Sequence, residues 1–160
     1  MKILSLECSA TPASVAIIDD DKLLASSFVN TRLTHSQTLM PMVESTINDS
    51  GVSINDIDLF AITNGPGSFT GVRIGIASVK GMSDALNKKC IAVSTLEAIA
   101  EPLKNQDVIA CAVMDARCNQ VYNGIFKIQK GEITRITEDR AVLVSQVEKE
   151  LEEIDGKIFI

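Results

Sequence analysis

Residues 63–81 (TNGPGSFTGVRIGIASVKG) constrain this chain more than any other stretch, because they hold five of its nine glycines. The apolar run Leu59-Phe60-Ala61-Ile62 reads as a buried strand, and Gly65 and Gly67 then fall in a loop. Gly75 and Gly81 lie inside a helix predicted over 70–86. A glycine in a helix interior costs about 0.8–1 kcal/mol relative to alanine, so this helix needs a compensating contact. On a helical wheel Val72, Ile76, Val79 and Leu86 share an apolar arc suited to a sheet, and Arg73, Lys80 and Asp84 share a solvated one. Gly71, Ile74, Gly75, Ser78, Gly81, Met82 and Ala85 make a third, nearly flat arc. Small residues four apart let another backbone come close. The neighbour is either this chain or a second subunit, and the two readings separate at one position. Gly75→Leu is expected to leave the monomer folded and to abolish homodimer or heterodimer formation; loss of folding would mean that the arc faces inward.

With 160 residues the chain is long enough to bury a core in one domain or two small ones. A net charge of −6, without Lys/Arg clusters, argues against a protein that binds nucleic acid by itself. The longest apolar run, Val108 to Met114, is too short to span a bilayer. The first residues, MKILSLECSA, are interrupted by Glu7 before a secretory apolar region can form. Cys8, Cys90, Cys111 and Cys118 make no C-x-x-C pair and no zinc spacing, which fits reduced thiols in a cytoplasmic protein.

Strands are expected at 3–7, 14–18 and 23–29, then a helix whose Thr34 and Gln37 fit a capping box. Leu39, Val43 and Ile47 line one face of that helix, and Pro41 is expected to kink it or shift its start. A strand at 58–63, the glycine-rich helix and a strand at 90–93 follow, and then a short helix capped by Ser94 and Glu97 and closed by Pro102. The pattern restarts with strands at 108–114, 121–128 and 132–137, a helix capped by Ser145 and Glu148 and stopped by Gly156, and a strand from Lys157. Three meandering strands followed by alternating helix and strand give a mixed sheet covered by helices. The expected fold is therefore α/β, actin-like with the ribonuclease H-like βββαβα motif, in two lobes at 1–104 and 105–160. The second lobe is expected to be truncated.

The loop from Gly65 to Gly71 invites a nucleotide reading, but Val72-Arg73 follow Gly71 where a P-loop needs Lys and Ser/Thr. Against G-x-G-x-x-G it has one residue too many. Backbone amides at the helix start still suit an anion. The first hairpin loop, Glu7 to Pro12, has no glycine for close approach to phosphate. A two-metal nuclease site needs carboxylates on the first strand, first helix and fourth strand; Glu7 and Glu44 fill two places, but the fourth strand ends in Thr63-Asn64. His35 is the single histidine, with Leu39 where a metal pair needs a second ligand. Asp115 and Arg117 form an anion site or a local ion pair, the latter being the simpler reading.

Several of these segments together resemble one family. LSLECS at 4–9, His35-Ser36 with Leu39 and Pro41, TNGPGSFTGVRIG at 63–75, Ser94–Glu97, and Asp115–Arg117 with Val121-Tyr122 are similar to the TsaB (YeaZ) proteins of bacterial tRNA threonylcarbamoyladenosine synthesis. The resemblance implies a non-catalytic subunit that pairs with a TsaD catalytic subunit, which holds the metal and modifies the adenosine beside the anticodon. It implies a TsaE-like ATPase joining that complex, contact with tRNA only through it, homodimers when alone, and no cofactor of the chain's own. It also places the partner surface on two helices, at His35, Leu39 and Met42 of the first and Gly71, Ile74, Gly75, Ser78, Met82 and Ala85 of the second. Glu7 stands where many members have Asp, and Cys118 and Gln120 replace a basic and an acidic residue. The competing readings are an actin-like ATPase and a metal-dependent, peptidase-like hydrolase, the second weakened by the lone histidine.

Overall fold

Apolar residues alternate with smaller or polar ones along the first strands, so the sheet they form must bury one face. The computed structural model describes residues 1–160, in two units, Met1–Val93 and Ser94–Ile160. In the first unit, β1 (Lys2–Glu7), β2 (Ala13–Asp19) and β3 (Lys22–Val29) form an antiparallel meander. Helix α1 (His35–Ser50) leads to β4 (Leu59–Thr63), and α2 (Phe69–Leu86) leads to β5 (Lys89–Val93). The strand order is β3-β2-β1-β4-β5, with β4 parallel to β1 and β5 parallel to β4. Both helices cover the same face. There Leu4, Leu6, Val15, Ile17, Phe60 and Ile62 are at most 5% exposed and pack with Leu39, Val43 and Val79. Burying each such side chain contributes about 1.5–3 kcal/mol. The other face, with Ile3, Ala16, Ile18, Leu59 and Ala61, is only half-buried.

The predicted capping box forms: the Thr34 N–H donates to Gln37 Oε1 at 3.1 Å. Pro41 sits exposed within α1, which begins at His35 and continues past it.

In the second unit, α3 (Thr95–Ala100) precedes β6 (Val108–Arg117), β7 (Gln120–Gln129), β8 (Glu132–Arg135), β9 (Arg140–Leu143), α4 (Val144–Glu152) and β10 (Ile158–Phe159). β6 to β8 meander antiparallel, β9 also pairs with β7, and β10 is parallel to β6. Leu96 and Ala100 of α3 are buried with Val108, Ala110, Phe126 and Ile128, while Val147 of α4 is buried with Ile109, Cys111 and Ile125. The division between units therefore falls at Val93/Ser94, not after residue 104, because α3 belongs to the second core.

Two further expectations are corrected. Ser145 does not cap α4: the helix starts at Val144 directly after β9, whose Val142 and Leu143 pair with Val121 and Gln120. The strand expected over 132–137 ends at Arg135, because the amides of Ile136 and Thr137 both turn to the Ile125 carbonyl.

Polar side chains tie the second unit together. Ser94 Oγ caps α3 by accepting the Glu97 N–H at 3.3 Å and donates to Asp139 at 2.6 Å. Arg135 joins Asp139 to Glu97 and stands over the Phe126 ring, 4.7 Å from its centre. Asn123, 0% exposed, donates to the Ala112 carbonyl at 3.3 Å and accepts from Arg140 Nη2 at 3.0 Å. Arg140 also pairs with Glu150 of α4, and this hydrogen bond holds the Glu150 carboxyl below its ordinary value. A carboxyl lowered by folding stabilises fully above its unfolded value, about 4.3, and loses that contribution as pH falls through the folded value. The stability difference between wild type and Glu150→Gln is therefore largest at neutral pH and vanishes in acid. Urea midpoints measured across this range check it, and a pH-independent difference contradicts it.

Candidate interaction surface

The carboxyl ends of β1 and β4 bring the first hairpin loop against the glycine-rich loop. Glu7 folds back so that Oε1 accepts both the N–H and, at 2.5 Å, the hydroxyl of Ser9. Ser9 is only 2% exposed. Its carbonyl in turn accepts the N–H of Ser68 at 2.6 Å. Ser68 is the N-cap of α2, and its Oγ accepts the Gly71 N–H at 3.3 Å. The loop that lacks a glycine of its own is thus met by glycines from the other side. A side-chain carbon at Gly67 would stand 2.7 Å from Ser9 Cβ, and one at Gly71 would overlap the Cys8 carbonyl oxygen. Burial, with a smaller push from Glu7, raises the Cys8 thiol to about 12, so it stays protonated.

This packing splits the flat arc of α2. Gly71 and Gly75 are buried, and a side-chain carbon at Gly75 would approach Ile62 Cδ1 to 2.8 Å and Cys8 Sγ to 3.3 Å. These two glycines serve the chain's own first hairpin, which corrects their expected place on a partner surface. Met82 and Ile74 pack at the edge of the first core. Gly81 and Ala85 are exposed, Ser78 is half-buried, and nothing lies within 4 Å of a side-chain carbon placed at Gly81. Ala77, which the wheel left out, is exposed beside them. The open stripe is therefore Ile74, Ala77, Ser78, Gly81 and Ala85.

Two residues expected on the partner face of α1 are corrected as well. Leu39 and Met42 are 1% and 6% exposed and belong to the first core. Their exposed neighbour is Met40, at 47%. His35 is half-buried, with Nε2 3.5 Å from the Pro12 carbonyl. Phe69, at the start of α2, is 74% exposed with Arg73 over its ring. Sequence reasoning missed Ser9 and Ser68 as loop ties, although Ser68 with a backbone donor three residues on is an N-cap signal. In the second unit Asp115 Oδ1 accepts the Arg117 N–H at 2.7 Å, so the carboxylate organises its own turn and no Asp115–Arg117 ion pair forms.

The protein-family comparison matches residues 29–156 to TsaD, tRNA N6-adenosine threonylcarbamoyltransferase. The Bacillus subtilis tRNA threonylcarbamoyladenosine biosynthesis protein TsaB is 31% identical over 159 residues, covering 99% of this chain and 69% of the relative. Its Escherichia coli counterpart is 34% identical over 98% of this chain and 69% of its own length. The chain belongs to the TsaB family. It does so within the wider TsaD family, and TsaB members are tRNA threonylcarbamoyladenosine biosynthesis proteins. The solved YeaZ from Pseudomonas aeruginosa matches with a TM-score of 0.80 at 33% identity, over 88% of this chain and 67% of that one. A ROK hexokinase from Thermus thermophilus, with a TM-score of 0.51 at 15% identity over 83% of this chain and 47% of that one, shares the actin-like fold alone. No helix of this TsaB-family chain is long and apolar enough to cross a membrane.

Proposed function

We propose that this TsaB-family chain is a non-catalytic subunit of the assembly that forms threonylcarbamoyladenosine beside the tRNA anticodon. It pairs with a TsaD-like transferase and takes no cofactor itself. The observation that supports this reading is the closed first hairpin. In an actin-like ATPase that loop grips phosphate, whereas here Glu7 is bonded to Ser9, and Gly67 and Gly71 press on Ser9 and Cys8. Backbone that is already packed against backbone leaves no cradle for a nucleotide's phosphates.

The partner docks on the open stripe of α2 and on Met40 of α1, where small side chains let a helix approach closely. Without that partner a second copy takes the same surface and gives a homodimer. A TsaE-like ATPase and tRNA join through the complex, and the work is done in the cytoplasm. Reconstitution tests the reading. The purified chain given ATP, a threonylcarbamoyl donor and tRNA is expected to hydrolyse no ATP and leave the tRNA unmodified. Adding the TsaD-like and TsaE-like proteins is expected to restore modification. ATP turnover by the chain alone, at a rate dependent on Glu7, overturns the proposal in favour of an actin-like ATPase.

A further inference from the structure

The short loop Cys8–Pro12 touches the beginnings of both helices that the proposed partner surface uses. The Ser9 carbonyl holds the Ser68 N–H at 2.6 Å, and the Cys8 carbonyl is the floor on which Gly71 rests. The Pro12 carbonyl lies 3.5 Å from Nε2 of His35, the first residue of α1. The loop itself is shaped by one carboxylate, Glu7 Oε1, which accepts from the Ser9 backbone and hydroxyl together. Ser9 is buried, so without Glu7 both its donors lose their partner away from water, which disfavours the docked loop.

We propose that Glu7 and Ser9 are positioning residues, which hold the first turns of α1 and α2 in the one arrangement a TsaD-like partner recognises. The inference rests on the reading of the open stripe above and concerns what aligns it. Neither side chain touches the partner. They act by keeping the Ser9 carbonyl under Ser68, so that α2 starts at a fixed point relative to α1. A chain whose loop is docked only part of the time binds with an affinity reduced by that fraction. If Glu7→Ala leaves the loop docked one-tenth of the time, the dissociation constant rises about tenfold.

Calorimetric titration of full-length variants with the TsaD-like partner tests this, together with amide hydrogen exchange on the free chains. Glu7→Ala is expected to bind about tenfold more weakly and to exchange faster at Ser68, Gly71 and Val72, while the amides of Leu4 and Phe60 keep their protection. Glu7→Asp, which reaches the same Ser9 donors, is expected to restore binding. If Glu7→Ala binds like wild type while Gly81→Leu does not, the positioning role is overturned and the stripe stands. Where Gly81→Leu also binds like wild type, the stripe reading fails and takes this inference with it. Should Glu7→Ala not fold, Ser9→Ala decides, since it loses only the hydroxyl bond: weaker binding with a protected core supports the role, and unchanged binding overturns it.

Discussion

Gly71→Val is expected to destabilise the first unit severely. A carbon added at Gly71 overlaps the Cys8 carbonyl oxygen and stands 3.3 Å from both Cys8 C and Ser68 Oγ. The colliding atom is a backbone oxygen, one residue past the end of β1, so it has no rotamer to escape into. Leaving glycine gains about 1 kcal/mol of helix propensity at most. Forcing the helix off the sheet costs about 3 kcal/mol or more, a large share of a domain's usual 5–15 kcal/mol. Urea denaturation followed by circular dichroism reads the loss directly. Gly81→Ala provides the contrast, because its side chain meets open space and should raise the midpoint. A Gly71→Val chain with the wild-type midpoint would contradict the packing described for the first hairpin. The same geometry reverses the expectation for Gly75→Leu: a side chain there drives into Ile62 and Cys8, so it harms folding before assembly is reached.

Gly81→Leu is expected to do the opposite: fold normally and fail to assemble. Gly81 faces solvent, and beyond its own turns of helix no atom of this chain lies within 4 Å of its added carbon, so a leucine has room in the monomer. It also raises helix propensity by a few tenths of a kcal/mol or more. Standing in the middle of the open stripe, it holds a partner helix away by the thickness of a side chain and opens gaps along the contact. We expect binding to the TsaD-like partner to weaken roughly a hundredfold, with an unchanged or higher unfolding midpoint. Sedimentation of the mixed proteins separates the outcomes, and a complex of wild-type size and affinity removes the stripe from the interface.

The two glycines, ten residues apart on one helix, also show what could be read from the sequence and what could not. Periodicity located α2 and its neighbours correctly, since the strand–helix alternation on either side of Thr63–Gly81 leaves little choice of element. Side-chain chemistry located Thr34, Gln37 and Ser94 at helix starts, because a cap is a local interaction completed within four residues. The facing of the flat arc was not legible. A missing side chain records that something comes close, and it is silent on whether that something is Cys8 of the same chain or another molecule. Leu39 and Met42 were misplaced for a related reason, because a helix with apolar residues on several sides does not reveal which meet the sheet. Strand β9 was lost because Arg140–Leu143 is short and runs straight into α4, so no turn residue separates them. The Glu7–Ser9–Ser68 connection spans sixty residues of chain and depends on the packing of β1 beside β4, which no local pattern encodes.

The placement of the four thiols has a practical side. Cys8 and Cys111 are buried and burial raises both, whereas Cys90 and Cys118 lie exposed, one on β5 of the first unit and one in the β6–β7 turn of the second. A maleimide dye added to the unaltered chain therefore labels a single point on each lobe. The wild-type sequence thus supplies one labelling position in each unit without an added cysteine.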